Sequence, residues 1–85
     1  MRLDHGKEAR QKPRRLTAKL LLIRKSLGMT QIELSEELDF PAYCRFSEYE
    51  SGRREPSVLL LLRYARLANI PLEALVDDEM DLPPI

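Results

Sequence analysis

Fourteen Lys and Arg set against fourteen Asp and Glu make up most of the reactive inventory of this 85-residue chain, which holds a single cysteine, Cys44, and a single histidine, His5. One thiol and one imidazole cannot build a four-ligand zinc site or an intrachain disulfide, so no metal, no cofactor and a reducing compartment are expected. There are no paired carboxylates with a cleft to sit in, no nucleophile beside a base and no phosphate loop. A chain this short also buries too little surface to enclose a catalytic pocket, and an enzyme is not expected.

What remains is charge, and the charge is segregated. Residues 1–25 hold nine Lys or Arg against Asp4 and Glu8, a net of +7. Residues 26–52 hold Arg45 against Glu33, Glu36, Glu37, Asp39, Glu48 and Glu50, a net of −5, and residues 53–85 hold four Arg against six acids, a net of −2. A basic stretch suits a polyanion, because each neutralised phosphate releases counterions, and a solvated basic tail is the other reading of the same charges. The longest uncharged apolar run, Val58 to Leu62, is five residues, where a membrane-spanning helix needs about 20. The first residues carry no apolar run of the signal-peptide kind, so the expectation is a cytoplasmic protein without membrane attachment.

The apolar spacing shows which elements must carry these charges. Leu16, Leu20, Ile23 and Leu27 recur at helical intervals and predict a helix over 17–27, with Thr17 at its N-cap and Gly28 at its left-handed end. Thr30 and Glu33 make a capping box that opens a second helix, with Leu34 and Leu38 inward and Ser35 small enough for close approach. Pro41 disfavours helical geometry at Phe40 and suits the first turn of a third helix, expected over 41–50 with Phe46 and Tyr49 inward. A fourth helix over 58–68 offers Val58, Leu61, Leu62, Ala65 and Leu67 to the core, with Arg63 and Arg66 opposite and Asn69 as terminator. A fifth, over 71–76, closes the core with Leu72, Leu75 and Val76. The expected architecture is an all-α, compact five-helix bundle over 16–76, with a flexible basic arm over 1–15 and an extended, mobile acidic tail over 77–85. Its second and third helices, joined by a three- or four-residue turn, form a helix-turn-helix unit, in which the later helix enters the major groove of DNA.

Gly28-Met29-Thr30-Gln31, then Leu34, Ser35 and Leu38, then Tyr49-Glu50-Ser51-Gly52 and Glu55-Pro56-Ser57 resemble the Cro and lambda-repressor-like, or Xre-type, helix-turn-helix family. The likeness spans residues 16–76. One departure is that Gln31 and Glu50 stand 19 positions apart, one more than the family's usual interval, in a turn without the customary small residue. The extra residue falls between Asp39 and Arg45, so Asp39 or Phe40 must take an unusual backbone angle, and the register of the base-reading residues is open by one position.

By that resemblance, Ala42, Tyr43, Arg45 and Glu48 on the outward face of the third helix are the base readers, with Cys44 beside them. Arg45 suits guanine, Glu48 suits the cytosine amino group, and Ala42 or Tyr43 a thymine methyl; a surface pair between Arg45 and Glu48 is the alternative. Gln31 is implied as a phosphate contact at the start of the second helix, with plain capping as its other use. Arg53, Arg54, Lys19, Arg14 and Arg15 are expected on phosphates, with solvated charge as the alternative for the arm. Arg24 and Glu50 match a pair that in some members bridges behind the third helix. Tyr49 is read as a core residue rather than a stacking platform. Cys44 is either an inert surface residue or a redox switch, and no resolving cysteine supports the second use.

Two function classes follow. The first is a sequence-specific transcriptional regulator that binds double-stranded DNA at an inverted repeat as a homodimer, since one recognition helix spans too few base pairs to be selective alone. Its dimer patch is expected from Leu59, Leu60, Leu75 or Val76 and the apolar tail residues. The second is a protein-interaction module on the same fold, such as an antitoxin or adaptor, which the acidic centre and an exposed Leu59, Leu60, Met80, Leu82 and Ile85 support.

Overall fold

The computed structural model describes residues 13–40 and 42–85; Pro41 and most of the expected arm, residues 1–12, lie outside the described residues. Among the described residues five helices follow in order: α1 (Leu16–Ser26), α2 (Gln31–Glu37), α3 (Cys44–Ser51), α4 (Val58–Ala68) and α5 (Glu73–Val76). No strand occurs among the described residues. Leu20, Ile23, Leu34, Phe46, Tyr64, Ala74 and Leu75 are each fully buried, so all five helices feed one core.

The chain's own turn chemistry sets most of the helix ends. The Thr30 hydroxyl accepts from the Glu33 N–H at 3.1 Å while the Glu33 carboxylate accepts from the Thr30 N–H at 2.9 Å, so the capping box opens α2. The first four helices all close on a left-handed residue: Gly28 (φ +68°), Asp39 (φ 54°), Gly52 (φ +83°) and Asn69 (φ 59°). In each closure the next residue donates back to a carbonyl five positions earlier, as Phe40 does to Ser35 at 2.9 Å and Ile70 to Ala65 at 2.9 Å. Asp39 is therefore the residue that takes the unusual angle in the lengthened turn.

That angle changes the expected connection. The third helix starts at Cys44 rather than 41, so residues 38–43, not three or four, join α2 to α3. The left-handed Asp39 directs Phe40 inward, where its ring meets Phe46 edge-on at 5.6 Å and Tyr49 at 6.3 Å. Arg63, expected on the solvent face of α4, instead donates through Nη1 to the carbonyls of Leu38 and Asp39 at 3.0 and 3.3 Å. It holds the end of α2 that a non-glycine left-handed residue strains.

The apolar face of α4 is rotated from the expected one. Leu60 is buried at 2% exposure whereas Val58 is 73% exposed, because the inward stripe runs Leu60, Leu61, Tyr64, Ala65 and Ala68. Ser57 caps this helix by accepting from the Leu60 N–H at 3.2 Å, which leaves Val58 and Leu59 in a first turn beyond the edge of the core. The fifth helix begins at Glu73 rather than 71, and Ala74 and Leu75 enter the core while Val76 stays exposed.

The tail departs furthest from expectation. Residues 77–80 turn back on α1, and Leu82 packs against the core. Lys19 is buried, and its ammonium donates to the carbonyls of Ala74, Asp77 and Met80 at 2.7, 3.0 and 2.7 Å. Arg15 donates to the Asp78 carbonyl at 2.8 Å and to the Asp81 carboxylate at 2.6 Å. The phosphate role expected of Lys19 is corrected by these bonds, since an ammonium out of water must keep its acceptors, whereas Arg15 faces acids in a pair that is exposed on both sides. No side chain of α1 caps its own start, and Thr17 does not serve. Asp78 does that from the tail, accepting from the Arg14 and Arg15 N–H groups at 2.8 and 3.0 Å, at the positive end of the helix.

Two measurements test this arrangement. Lys19→Met keeps the stem but strands three carbonyls, and is expected to cost about 3 kcal/mol in chemical denaturation; a loss within error of zero would show the tail to be undocked. The two N–H groups of Arg14 and Arg15 hold the Asp78 carboxyl below the ordinary carboxylate range. Its contribution to stability is therefore full at neutral pH, begins to fall near the unfolded value of about 3.9 and is lost below the folded one. Asp78→Asn is expected to lower Tm at neutral pH and to flatten its fall in acid.

Candidate nucleic-acid interface

The roll of α3 follows from its two buried aromatics. Phe46 and Tyr49 point inward and pack edge to face at 5.7 Å, which turns Arg45 and Ser47 outward to solvent and leaves Glu48 half-buried beside them. Of the expected base readers, Arg45 and Glu48 lie within α3, while Ala42 and Tyr43 belong to the connection before it. Tyr43 is 51% exposed and Ala42 half-buried, and Cys44 is exposed as the first residue of the helix. Ser47 was not expected from sequence, because a helix started at 41 leaves its register open.

Arg45 does not pair with Glu48. The Glu48 carboxylate instead accepts from Arg54 Nε at 2.7 Å, a bond that holds its carboxyl below the usual range, helped by the charges of Arg53 and Arg45. The Arg54 side is exposed and the Glu48 side half-buried, so a phosphate or a base can still compete for either member. Arg53 and Arg54 follow α3 in an exposed loop, near the same end of the site as Glu48. Arg14 is exposed, with its backbone N–H on Asp78.

Behind this surface lies the most buried ion pair among the described residues. Arg24 of α1 donates to both carboxylate oxygens of Glu50 on α3, from Nε at 2.7 Å and from Nη2 at 3.0 Å, and its Nη1 donates to the Met29 carbonyl at 2.9 Å. The Arg24 and Glu50 side chains are only 17% and 8% exposed. The hydrogen bond to Glu50 raises the Arg24 pKa against the cost of its burial. Gln31, the first residue of α2, donates from Nε2 to Glu50 Oε1 at 3.0 Å. Sequence spacing offered no sign of that third bond. The Tyr64 hydroxyl is also buried; burial, with the Glu50 charge adding to it, pushes it well above its ordinary range.

The geometry is that of a helix-turn-helix unit, with its later helix displaying an arginine and its earlier one opening at a glutamine. A helix-turn-helix family profile matches residues 20–75. The chain belongs to that family, in its Xre or lambda-repressor-like form, and its fold is a DNA-binding one. No curated protein and no solved structure gave a match. No helix among the described residues is long and apolar enough to cross a membrane, and no three metal-ligating side chains are grouped there.

Removing the shared acceptor tests the buried contact. Glu50→Ala strands the Arg24 guanidinium and is expected to destabilise the fold by about 3 kcal/mol, where an exposed pair costs well under 1. A melting temperature equal to the parent's would show both side chains to be solvated.

Proposed function

We propose that this chain is a sequence-specific, DNA-binding transcriptional regulator of the cytoplasm, reading the major groove with the start of α3 and the connection before it. The observation that carries the reading is Arg45, exposed on the second residue of a helix whose roll is set by Phe46 and Tyr49. A guanidinium there suits the O6 and N7 acceptors of guanine. Tyr43, Ala42 and Ser47 border it, and Glu48 becomes available for a cytosine amino group when Arg54 moves to a phosphate. Gln31, Arg53, Arg54 and Arg14 position the backbone, a role that carries no sequence information.

Selectivity against a genome of competing sites calls for two such helices. Val58 and Leu59 at the start of α4 are 73% and 58% exposed, and Val76 on α5 is 38% exposed. Leu59 and Val76 belong to the expected patch and Val58 joins them, while Leu60 and Leu75 are withdrawn by burial. A twofold homodimer through them would set its α3 helices about 34 Å apart on an inverted repeat.

Arg45→Ala is expected to cost about 1–3 kcal/mol on the preferred duplex and to relax one base pair, whereas Arg53→Ala weakens all duplexes alike and lowers the salt slope by about one. An Arg45→Ala protein with unchanged site preference would move base reading to Tyr43 or Ser47. Sedimentation with and without duplex checks assembly: a monomer in both, saturating at one protein per site, removes the dimer. Saturation with no duplex at low salt would favour the protein-interaction reading instead.

A further inference from the structure

Glu50 accepts three hydrogen bonds, two from Arg24 and one from the side-chain amide of Gln31. An ionised carboxylate only accepts, so Gln31 must turn its Nε2, not its oxygen, toward Glu50. The amide plane is then fixed. One Nε2 hydrogen is spent on Glu50 and the other is left for a further acceptor. An amide without this constraint could flip and offer its carbonyl oxygen, which repels a phosphate oxygen. The Glu50 charge is itself answered by Arg24 within a bond only 8% exposed at the carboxylate, so it adds little repulsion of its own.

We infer that Glu50 is a positioning residue for DNA: it holds the Gln31 amide with an N–H presented to a backbone phosphate, while Arg24 holds Glu50. The inference rests on the DNA-binding reading above and deepens it. It joins the buried contact among three helices to one point on the DNA backbone, so a change inside the fold is read as a change in binding.

Fluorescence titration of a duplex selected from random sequence by the unaltered full chain tests it. Glu50→Gln removes a negative charge, which alone would tighten binding to a polyanion. Positioning instead requires binding to weaken, by roughly tenfold, and with an unchanged salt slope, because Gln31 displaces no counterion. Gln31→Ala is expected to weaken binding to a similar extent, and the double variant to bind no more weakly than Gln31→Ala alone. Equal or tighter binding by Glu50→Gln, or losses that multiply in the double variant, would overturn the inference. If Glu50→Gln melts below the assay temperature, heteronuclear NMR of the unaltered chain carries the test. The Gln31 side-chain proton that faces Glu50 should then exchange with water more slowly than its geminal partner, and equal exchange of the two at the free-amide rate would overturn it. An unaltered chain that binds no duplex at low salt removes the DNA-binding reading and the phosphate role together, and the amide signals distinguish that failure from a missing Glu50 bond.

Discussion

A carboxylate taken out of water must be matched by donors, and Glu50 draws its donors from helices 26 and 19 positions away in sequence. That requirement ties the end of α1, the start of α2 and the end of α3 to a single pair of oxygen atoms. The net stability of such a buried pair against an apolar replacement is small, because desolvation offsets most of the Coulomb attraction. Its value here is geometric. The bidentate bond sets how α3 lies on α1, and the Gln31 bond sets where α2 begins relative to both, so the two helices of the helix-turn-helix unit are registered through a group withdrawn from solvent.

Around this centre, the fold is closed by one repeated device. Each of the first four helices ends on a left-handed residue followed by a long backward hydrogen bond. Glycine fills two of those places without strain, but Asp39 and Asn69 do not have that freedom. At Asp39 the difference has consequences, since the left-handed turn sends Phe40 into the aromatic cluster and delays α3 to Cys44. Arg63 then crosses from α4 to hold the Leu38 and Asp39 carbonyls. The longer connection therefore belongs to the core as much as to the surface.

The tail is held by the same economy of donors and acceptors. Lys19 finds three carbonyls along residues 74–80, and Asp78 supplies the cap that α1 lacks, so two segments more than fifty residues apart satisfy each other. This consumes basic groups that would otherwise face outward. The positive charge of the first residues of the domain is in part structural, while Arg45 on α3 and Arg53 and Arg54 in the loop after it remain exposed.

Local signals in the sequence were enough for the helix count, the capping box at Thr30 and Glu33, the left-handed ends at Gly28 and Asn69, the inward Phe46 and Tyr49, and the family likeness. The caps, the helix ends and the inward aromatics each depend on residues within about one helical turn of one another, and the likeness on short blocks of that kind set in order along the chain. The likeness also brought Arg24 and Glu50 to notice as a pair, although not the Gln31 bond that joins them. Only the tertiary structure decided what became of the charges: Lys19 and Arg15 bound to the tail, Arg63 capping α2, Glu48 held by Arg54 rather than Arg45, and Leu60 turned inward while Val58 turned out. The physical reason is that a charged or polar group is placed by the acceptors and donors that distant segments bring to it. Periodicity along the chain carries no record of which segments those are.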